Sequence, residues 1–244
     1  MTSRAADPLL TWLLRASRQR RSPDAGLTLI ECLVAIVVIA ITIATITPPI
    51  FLASATRIQS RRAEQANQIA QGEVDRVRQI VERGTYQTDN LPKDVGTGRS
   101  SEVAAANAVS DRLLSPATCN TYPATTAVDA SQLVPVDVNG DCTPEFAMQV
   151  FRTNQCIPAG IPVPADGSPR IPYAFDLGVR VYTYRPGEPV NNLSKDRASL
   201  GLAAGPRDKG GTRRPMQVLY TRVARVNDGN AVECVVGTLP APAP

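Results

Sequence analysis

The stretch that decides the fold is residues 27–55, LTLIECLVAIVVIAITIATITPPIFLASA, in which Glu31 is the only charged residue. A helix of about 20 apolar residues is long enough to cross the hydrocarbon core of a bilayer. The run is preceded by RQRRSPDAG and followed by Arg57, Arg61 and Arg62. The sequence therefore predicts a single membrane-spanning helix over residues 27–55.

The order of the segments separates this span from a cleaved secretory signal. A signal peptide has an apolar core of about 7–15 residues that is followed by a small-residue cut site. Here the small residue Gly26 precedes the apolar run, the run is longer, and residues 53–55 match the A-x-A pattern only weakly. Ordinary signal cleavage after the run is therefore the less favoured interpretation.

The lone carboxylate of Glu31 requires a partner. An acidic side chain near the middle of a bilayer costs about 2.5–3.5 kcal/mol on insertion scales and is usually paired. If the chain is cut after Gly26, the new α-amine belongs to Leu27, four residues earlier and on the same helix face. The amine of a neighbouring subunit would serve equally well and would set the register of an assembly. In an uncut chain, Glu31 would instead lie at the membrane interface and reach water.

The residues around this cut site resemble a known signature. RSPDAG at residues 21–26, followed by LTLIE at residues 27–31, is similar to the prepilin peptidase site of type IV pilins and type II secretion pseudopilins. Leu27 stands where that family usually has Phe, and CLVAI at residues 32–36 is similar to the I-type pseudopilin. Pro48 lies where many pilins carry a proline. The resemblance implies removal of a basic leader over residues 1–26, N-methylation of Leu27, and a role for Glu31 in assembly.

Two further blocks carry a narrower resemblance. ATRIQSRR at residues 55–62 and AQGEVDRVR at residues 70–78 are similar to pseudopilins of the cyanobacterial hormogonium polysaccharide secretion system. That resemblance implies export of a gliding-associated polysaccharide alongside a type IV pilus machine.

The family resemblance also implies partners and a location. The partners are prepilin peptidase, other pilins or pseudopilins, and the pilus or secretion assembly machinery. The chain would be a single-pass inner membrane protein whose C-terminal domain is extracytoplasmic, and it would enter a pilus or pseudopilus after processing.

Composition narrows the range of functions. The 244 residues carry a net charge of only +4, so we expect no nucleic-acid partner. Histidine is absent, which removes the commonest general base and zinc ligand. We therefore expect a protein that is not an enzyme and whose action needs no cofactor. The alternative to a pilin is a single-span anchored protein that binds polysaccharide or calcium outside the membrane and does not polymerise.

A second helical pattern follows the apolar run. In residues 56–84, Ala66, Ala70, Val74, Val77 and Val81 recur at helical spacing, which predicts an amphipathic helix packed on a sheet. Pro48 and Pro49 should interrupt or bend the helix before it, because proline lacks an N–H and crowds the preceding turn.

The rest of the chain predicts a small sheet. Residues 85–145 are loop-rich, with one short helix near residues 102–114, and residues 146–244 carry the strand signals. Residues 216–226 and 231–236 flank NDGN, which predicts a hairpin. The fold class is therefore α+β and pilin-like: a long N-terminal helix packed on an antiparallel sheet of three or four strands.

Two further groups of residues carry candidate chemistry. Cys119, Cys142, Cys156 and Cys234 fit one or two disulfides, with three pairings open, although free buried thiols are the alternative. Three oxygen-bearing side chains alternate in DVNGD, which suits either calcium or an ordinary turn. They are Asp137, Asn139 and Asp141.

Overall fold

The computed structural model describes residues 28–84, 86–123, 127–165, 167, 169–198, 213–225, 229 and 231–236. For residues 48–55, 235 and 236 the description covers the backbone alone. The predicted leader and Leu27 lie outside the described residues. The chain divides into two units, Met1–Ala53 and Ser54–Pro244.

Helix α1 (Leu29–Arg83) begins in the first unit. Its segment Leu29–Thr47 has a mean hydropathy of 2.8, is long and apolar enough to cross a bilayer, and is not buried anywhere in the structure. The helical backbone continues through Pro48 and Pro49, so the chain is not unwound at these two residues. A bend at the two prolines stays a prediction.

The later part of α1 supplies one wall of the core. Its predicted apolar stripe is confirmed, because all five residues are essentially inaccessible to solvent and belong to the main hydrophobic cluster. The stripe packs against alternate side chains of two central strands, as a period of two on a pleated strand requires. The residues of these two strands in the cluster are Phe146, Met148, Val150, Phe175, Leu177, Val179 and Val181.

The sheet has five strands: β1 (Ala108–Val109), β2 (Gln132–Val136), β3 (Phe146–Cys156), β4 (Ala174–Thr183) and β5 (Gln217–Ala224). Their order in the sheet is β1-β2-β3-β4-β5. Strands β1 and β2 are parallel, and the other neighbouring pairs are antiparallel.

This sheet confirms the α+β class but corrects the predicted sheet, which was purely antiparallel, had three or four strands and began at Phe146. The first two strands lie in the segment that we expected to be loop-rich. Strand β2 gave no alternating signal because four of its five residues are buried and Pro135 lies within it. Proline in a run of this kind counts against a strand assignment.

The outer face of the sheet is also buried, around a polar network. Arg180 and Gln149 are both fully buried there. Arg180 donates hydrogen bonds to the carbonyl oxygens of Ser100 (3.0 Å) and Val103 (2.9 Å), and to Oε1 of Gln149 (3.2 Å). Gln149 Nε2 donates in turn to the Ala104 carbonyl at 2.8 Å. These bonds hold the turn at residues 100–104 against the outer face of the sheet.

The same network explains why the predicted helix near residues 102–114 is wrong. The structure has no helix over these residues; they contain strand β1 instead. The carbonyl groups at Val103 and Ala104 accept hydrogen bonds from buried side chains. A helix would direct those carbonyls to N–H groups four residues later.

The predicted C-terminal hairpin is also wrong. Residues Ala231–Val236 form a short helix, α2, rather than a strand. Cys234 of this helix is bonded to Cys156 at the end of β3, with a Cα–Cα distance of 5.7 Å. Arg222 of β5 donates to the Cys234 carbonyl at 3.1 Å. Tertiary contacts thus override the strand propensity of the valines.

The second disulfide closes a loop at the other end of β3. Cys119 is bonded to Cys142, with a Cα–Cα distance of 6.1 Å. The four C-terminal cysteines therefore form two disulfides, and Cys32 is free and exposed. Disulfides of this kind stabilise a domain largely by restricting its unfolded chain.

We predict that Gly178→Ala destabilises the folded domain. A Cβ at Gly178 would lie 2.5 Å from Cε2 and Cζ of Phe151, which is its neighbour in β3. Overpacking of this kind typically costs about 1–3 kcal/mol. Thermal unfolding of the detergent-solubilised chain, followed by circular dichroism, measures the loss. The matched control is Gly72→Ala in α1, where a Cβ meets nothing within 4 Å and alanine favours the helix. Equal melting temperatures for the two variants would contradict the prediction.

Candidate functional site

The start of α1 is a capped helix terminus that places Glu31 in the first turn. Glu31 N–H donates to the Thr28 carbonyl at 3.0 Å and to Thr28 Oγ1 at 3.3 Å. The helix begins at Leu29, so Thr28 is its N-cap and Glu31 is the third helical residue. Thr-x-x-Glu is the sequence of a capping box. The Glu31 carboxylate therefore lies at the positive end of the helix dipole.

This geometry bears directly on the predicted pairing of Glu31. Only Thr28 separates Leu27 from the first residue of the helix. If the chain is cut after Gly26, its α-amine therefore comes two residues before the helix and four residues before Glu31 in the sequence. Gly26 and Leu27 lie outside the described residues, so the cleavage and methylation assignments stay predictions.

The surface after Glu31 is apolar even where its sequence contains threonine. Thr42 Oγ1 donates to the Val38 carbonyl at 2.7 Å, and Thr47 Oγ1 donates to the Ile43 carbonyl at 2.6 Å. These hydroxyl groups are satisfied within the helix. The large apolar side chains from Leu29 to Ile46 are all more than half exposed. Such a surface is suited to lipid or to the helices of other subunits.

A buried charged cluster in the second unit was missed at the sequence level. Glu73, which is 4% exposed, accepts from Arg76 Nε at 2.9 Å and from Arg76 Nη2 at 2.6 Å. Tyr122 donates its hydroxyl to Glu73 Oε1 at 2.8 Å. Burial, together with the Glu73 charge, raises the pKa of Tyr122 well above its ordinary value. The cluster joins α1 to the loop that follows Cys119. Only the i,i+3 spacing of Glu73 and Arg76 was visible in the sequence.

The candidate calcium residues form a chain of turns. Backbone N–H groups two residues along donate to Asp137, Asn139 and Asp141 in succession, at 3.1, 2.9 and 2.8 Å. Asp137 also accepts from Ser115 Oγ at 2.7 Å and from the backbone of Cys142 at 2.9 Å.

Carboxylate oxygens of Asp137, Asp141 and Glu145 lie within 4.8 Å of one another. The Asp137 carboxylate is already saturated by four donors. The turn interpretation accounts for the arrangement, and calcium binding stays an untested prediction.

Comparison with protein families identifies one motif. Residues 21–47 match the prokaryotic N-terminal methylation motif. The matched range contains the predicted cut site, Glu31 and the apolar helix. The chain therefore carries a type IV pilin-like prepilin signal. That signal implies processing by prepilin peptidase and assembly with other pilins in a membrane machinery. Searches of curated proteins and of solved structures found no match.

We predict that Tyr122→Phe weakens the folded domain. The variant leaves the buried Glu73 carboxylate without one of its hydrogen bonds, at a typical cost of about 1–3 kcal/mol. Chemical denaturation of the full chain in detergent measures the change. Tyr173→Phe is the matched control, because no hydrogen bond of the Tyr173 hydroxyl is found among the described residues. A similar loss in both variants would show that the hydroxyl bond to Glu73 is not responsible.

We predict that Asp137 makes stability depend on acidic pH. Burial alone would raise the pKa of its carboxyl, but hydrogen bonds from Ser115, Gly140, Cys142 and Asn139 outweigh burial and lower the pKa. Since the folded pKa is the lower one, the stabilisation is present above the unfolded pKa of about 3.9. It is lost as pH falls through the folded pKa.

Melting temperature measured from about pH 6 to about pH 2 tests this effect, since it spans the titration of aspartate. It should fall less steeply for Asp137→Asn than for the wild type. Asp111→Asn, whose side chain is 93% exposed, is the control and should follow the wild type. Parallel curves for all three proteins would refute the assignment.

Proposed function

We propose that the chain is a pseudopilin or minor pilin. Prepilin peptidase removes residues 1–26 by cutting between Gly26 and Leu27, and the new N-terminus is methylated. The processed subunit enters a type IV pilus-like or type II secretion-like filament. Before assembly it is held in the inner membrane by one span, with its C-terminal domain extracytoplasmic.

The observation that carries this proposal is the carboxylate of Glu31 in the first turn of α1, because the segment Leu29–Thr47 is otherwise uncharged and is not buried. A simple anchor gains nothing from an acid at this position, since inserting it costs free energy. A subunit that pairs the acid with a cationic chain end recovers that cost and fixes its register. The methylation motif over residues 21–47 supports the same assignment.

The proposed work is mechanical assembly rather than catalysis. The contacts are made by apolar helix surface, so neither an active site nor a cofactor is required for them. The resemblance of residues 55–62 and 70–78 to hormogonium pseudopilins supports polysaccharide export and gliding motility as the process served. Deleting the gene and measuring the exported polysaccharide tests that assignment separately from assembly.

The alternative is an anchored polysaccharide- or calcium-binding protein that does not polymerise. The group that would favour it is the chain of turns at Asp137, Asn139 and Asp141. An anchor needs only a long apolar helix, whereas a filament subunit also needs the carboxylate of Glu31.

We predict that Glu31→Ala abolishes incorporation into filaments while membrane insertion is retained. Alanine removes the partner for the chain-end amine but makes the helix more apolar. The measurement compares the sheared filament fraction and the membrane fraction by immunoblotting. Glu64→Ala, an exposed position on the same helix, is the control and should assemble normally. Normal filament incorporation of the Glu31 variant would overturn the proposal and favour the anchored alternative.

A further inference from the structure

Three exposed arginines follow the apolar run on α1. Arg57 is the first charged residue after Glu31. Arg57, Arg61 and Arg62 are all exposed. Among the described residues, none of the three forms an ion pair or a side-chain hydrogen bond. Glu64 lies nearby but accepts a hydrogen bond from Gln68 at 3.4 Å.

These arginines share a helix face with an exposed apolar side chain. Arg57 and Arg61 are four residues apart, as are Ile58 and Arg62, so each pair lies on one side of α1. Ile58 is 56% exposed. At about 100° per residue, Arg57 and Arg61 lie roughly 180° and 140° around the helix from Ala66, whereas Ile58 and Arg62 lie roughly 80° and 40° from it, at the edge of the core stripe. Arginine beside an exposed large apolar residue is typical of helices that lie at a membrane interface.

A groove continues this face across the second unit. Its volume is about 650 Å³, and its lining includes Arg62, Tyr184 and Arg185. Two glutamates also line it, but each has a partner. Glu188 pairs with Arg213 at 3.2 Å, and Glu145 accepts from the Val138 N–H at 3.0 Å.

Arg185 is exposed, and among the described residues its side chain has no carboxylate partner. Arg62 is also exposed, and among the described residues it has no carboxylate partner either. Three arginines and two glutamates line the groove, a net charge of +1, so the groove favours an anion. Its volume is in the range of small-ligand sites, about 300–1,000 Å³.

We propose that this surface, the arginine patch (Arg57, Ile58, Arg61, Arg62 and Arg185), binds the headgroups of anionic phospholipids. The guanidinium fork matches phosphate oxygens in charge and geometry. The patch begins directly after the apolar run, and Ile58 adds an apolar contact for the acyl boundary. The proposal requires membrane anchoring but not polymerisation, so it goes beyond the filament function. Anionic lipid then holds the unassembled subunit against the bilayer and is released when the subunit is extracted.

Native mass spectrometry of the detergent-solubilised full chain tests the proposal. Short-chain phosphatidylglycerol and phosphatidylcholine are titrated separately, and bound lipid is counted. The wild type should prefer phosphatidylglycerol. Arg57→Gln, Arg61→Gln and Arg62→Gln combined should lose that preference, with affinity falling about fivefold for each arginine removed. Arg62→Gln and Arg185→Gln singly should each show a smaller loss, and they provide the test if the triple variant fails to fold.

The control removes three exposed arginines elsewhere and so makes the same change in net charge. They are Arg83, Arg99 and Arg170, each replaced by Gln. This variant should bind phosphatidylglycerol as the wild type does. The proposal is overturned if the wild type shows no headgroup preference, or if the control loses binding as much as the patch variant. Binding of polygalacturonate through the patch without any lipid preference would assign it to an acidic polysaccharide instead.

Discussion

The structure depends on one electrostatic constraint: a carboxylate lies in the first turn of a helix that carries no other charge until Arg57. Thr28 caps this helix, and its hydroxyl oxygen accepts a hydrogen bond from the N–H of Glu31. The positive end of the helix dipole favours the carboxylate, but by less than an acid in the middle of a bilayer costs. In the proposed processed subunit, a cationic chain end supplies what the dipole lacks. The helix is therefore better understood as an assembly element than as a tether.

The two parts of α1 bury their apolar groups in different ways. Before the prolines, the side chains are exposed in the single chain, so they need lipid or other helices. After Ser54, small and β-branched residues from Ala66 to Val81 pack against the sheet. The outer face of the same sheet is covered by backbone that Arg180 and Gln149 hold in place. Both faces of the sheet are buried and two disulfides close its loops, so the second unit has a hydrophobic core, whereas no side chain over residues 28–47 of the first unit is buried.

Sequence periodicity was sufficient for the helix and for the central strands, because their apolar side chains repeat at the spacing of the element. It failed where long-range contacts decide the backbone. Strand β2 contains Pro135 and has no alternation, the segment near Val103 is held by Arg180, and residues 231–236 are helical beside the Cys156–Cys234 bond. Glu31 was identifiable because a lone charge is conspicuous in an apolar run. Glu73 and Tyr122 are 49 residues apart, and no local pattern joins them.

The mass and sequence of the N-terminus of the protein from its own cells show whether cleavage creates a chain-end amine for Glu31 to meet. Cleavage between Gly26 and Leu27 predicts a chain that begins with N-methylated Leu27 and has lost the leader together with Trp12, the only tryptophan. The free amine then exists four residues before Glu31. A mature protein that retains Met1, or one that begins after the apolar segment, would contradict the proposed pairing, because Glu31 would have no chain-end amine to meet.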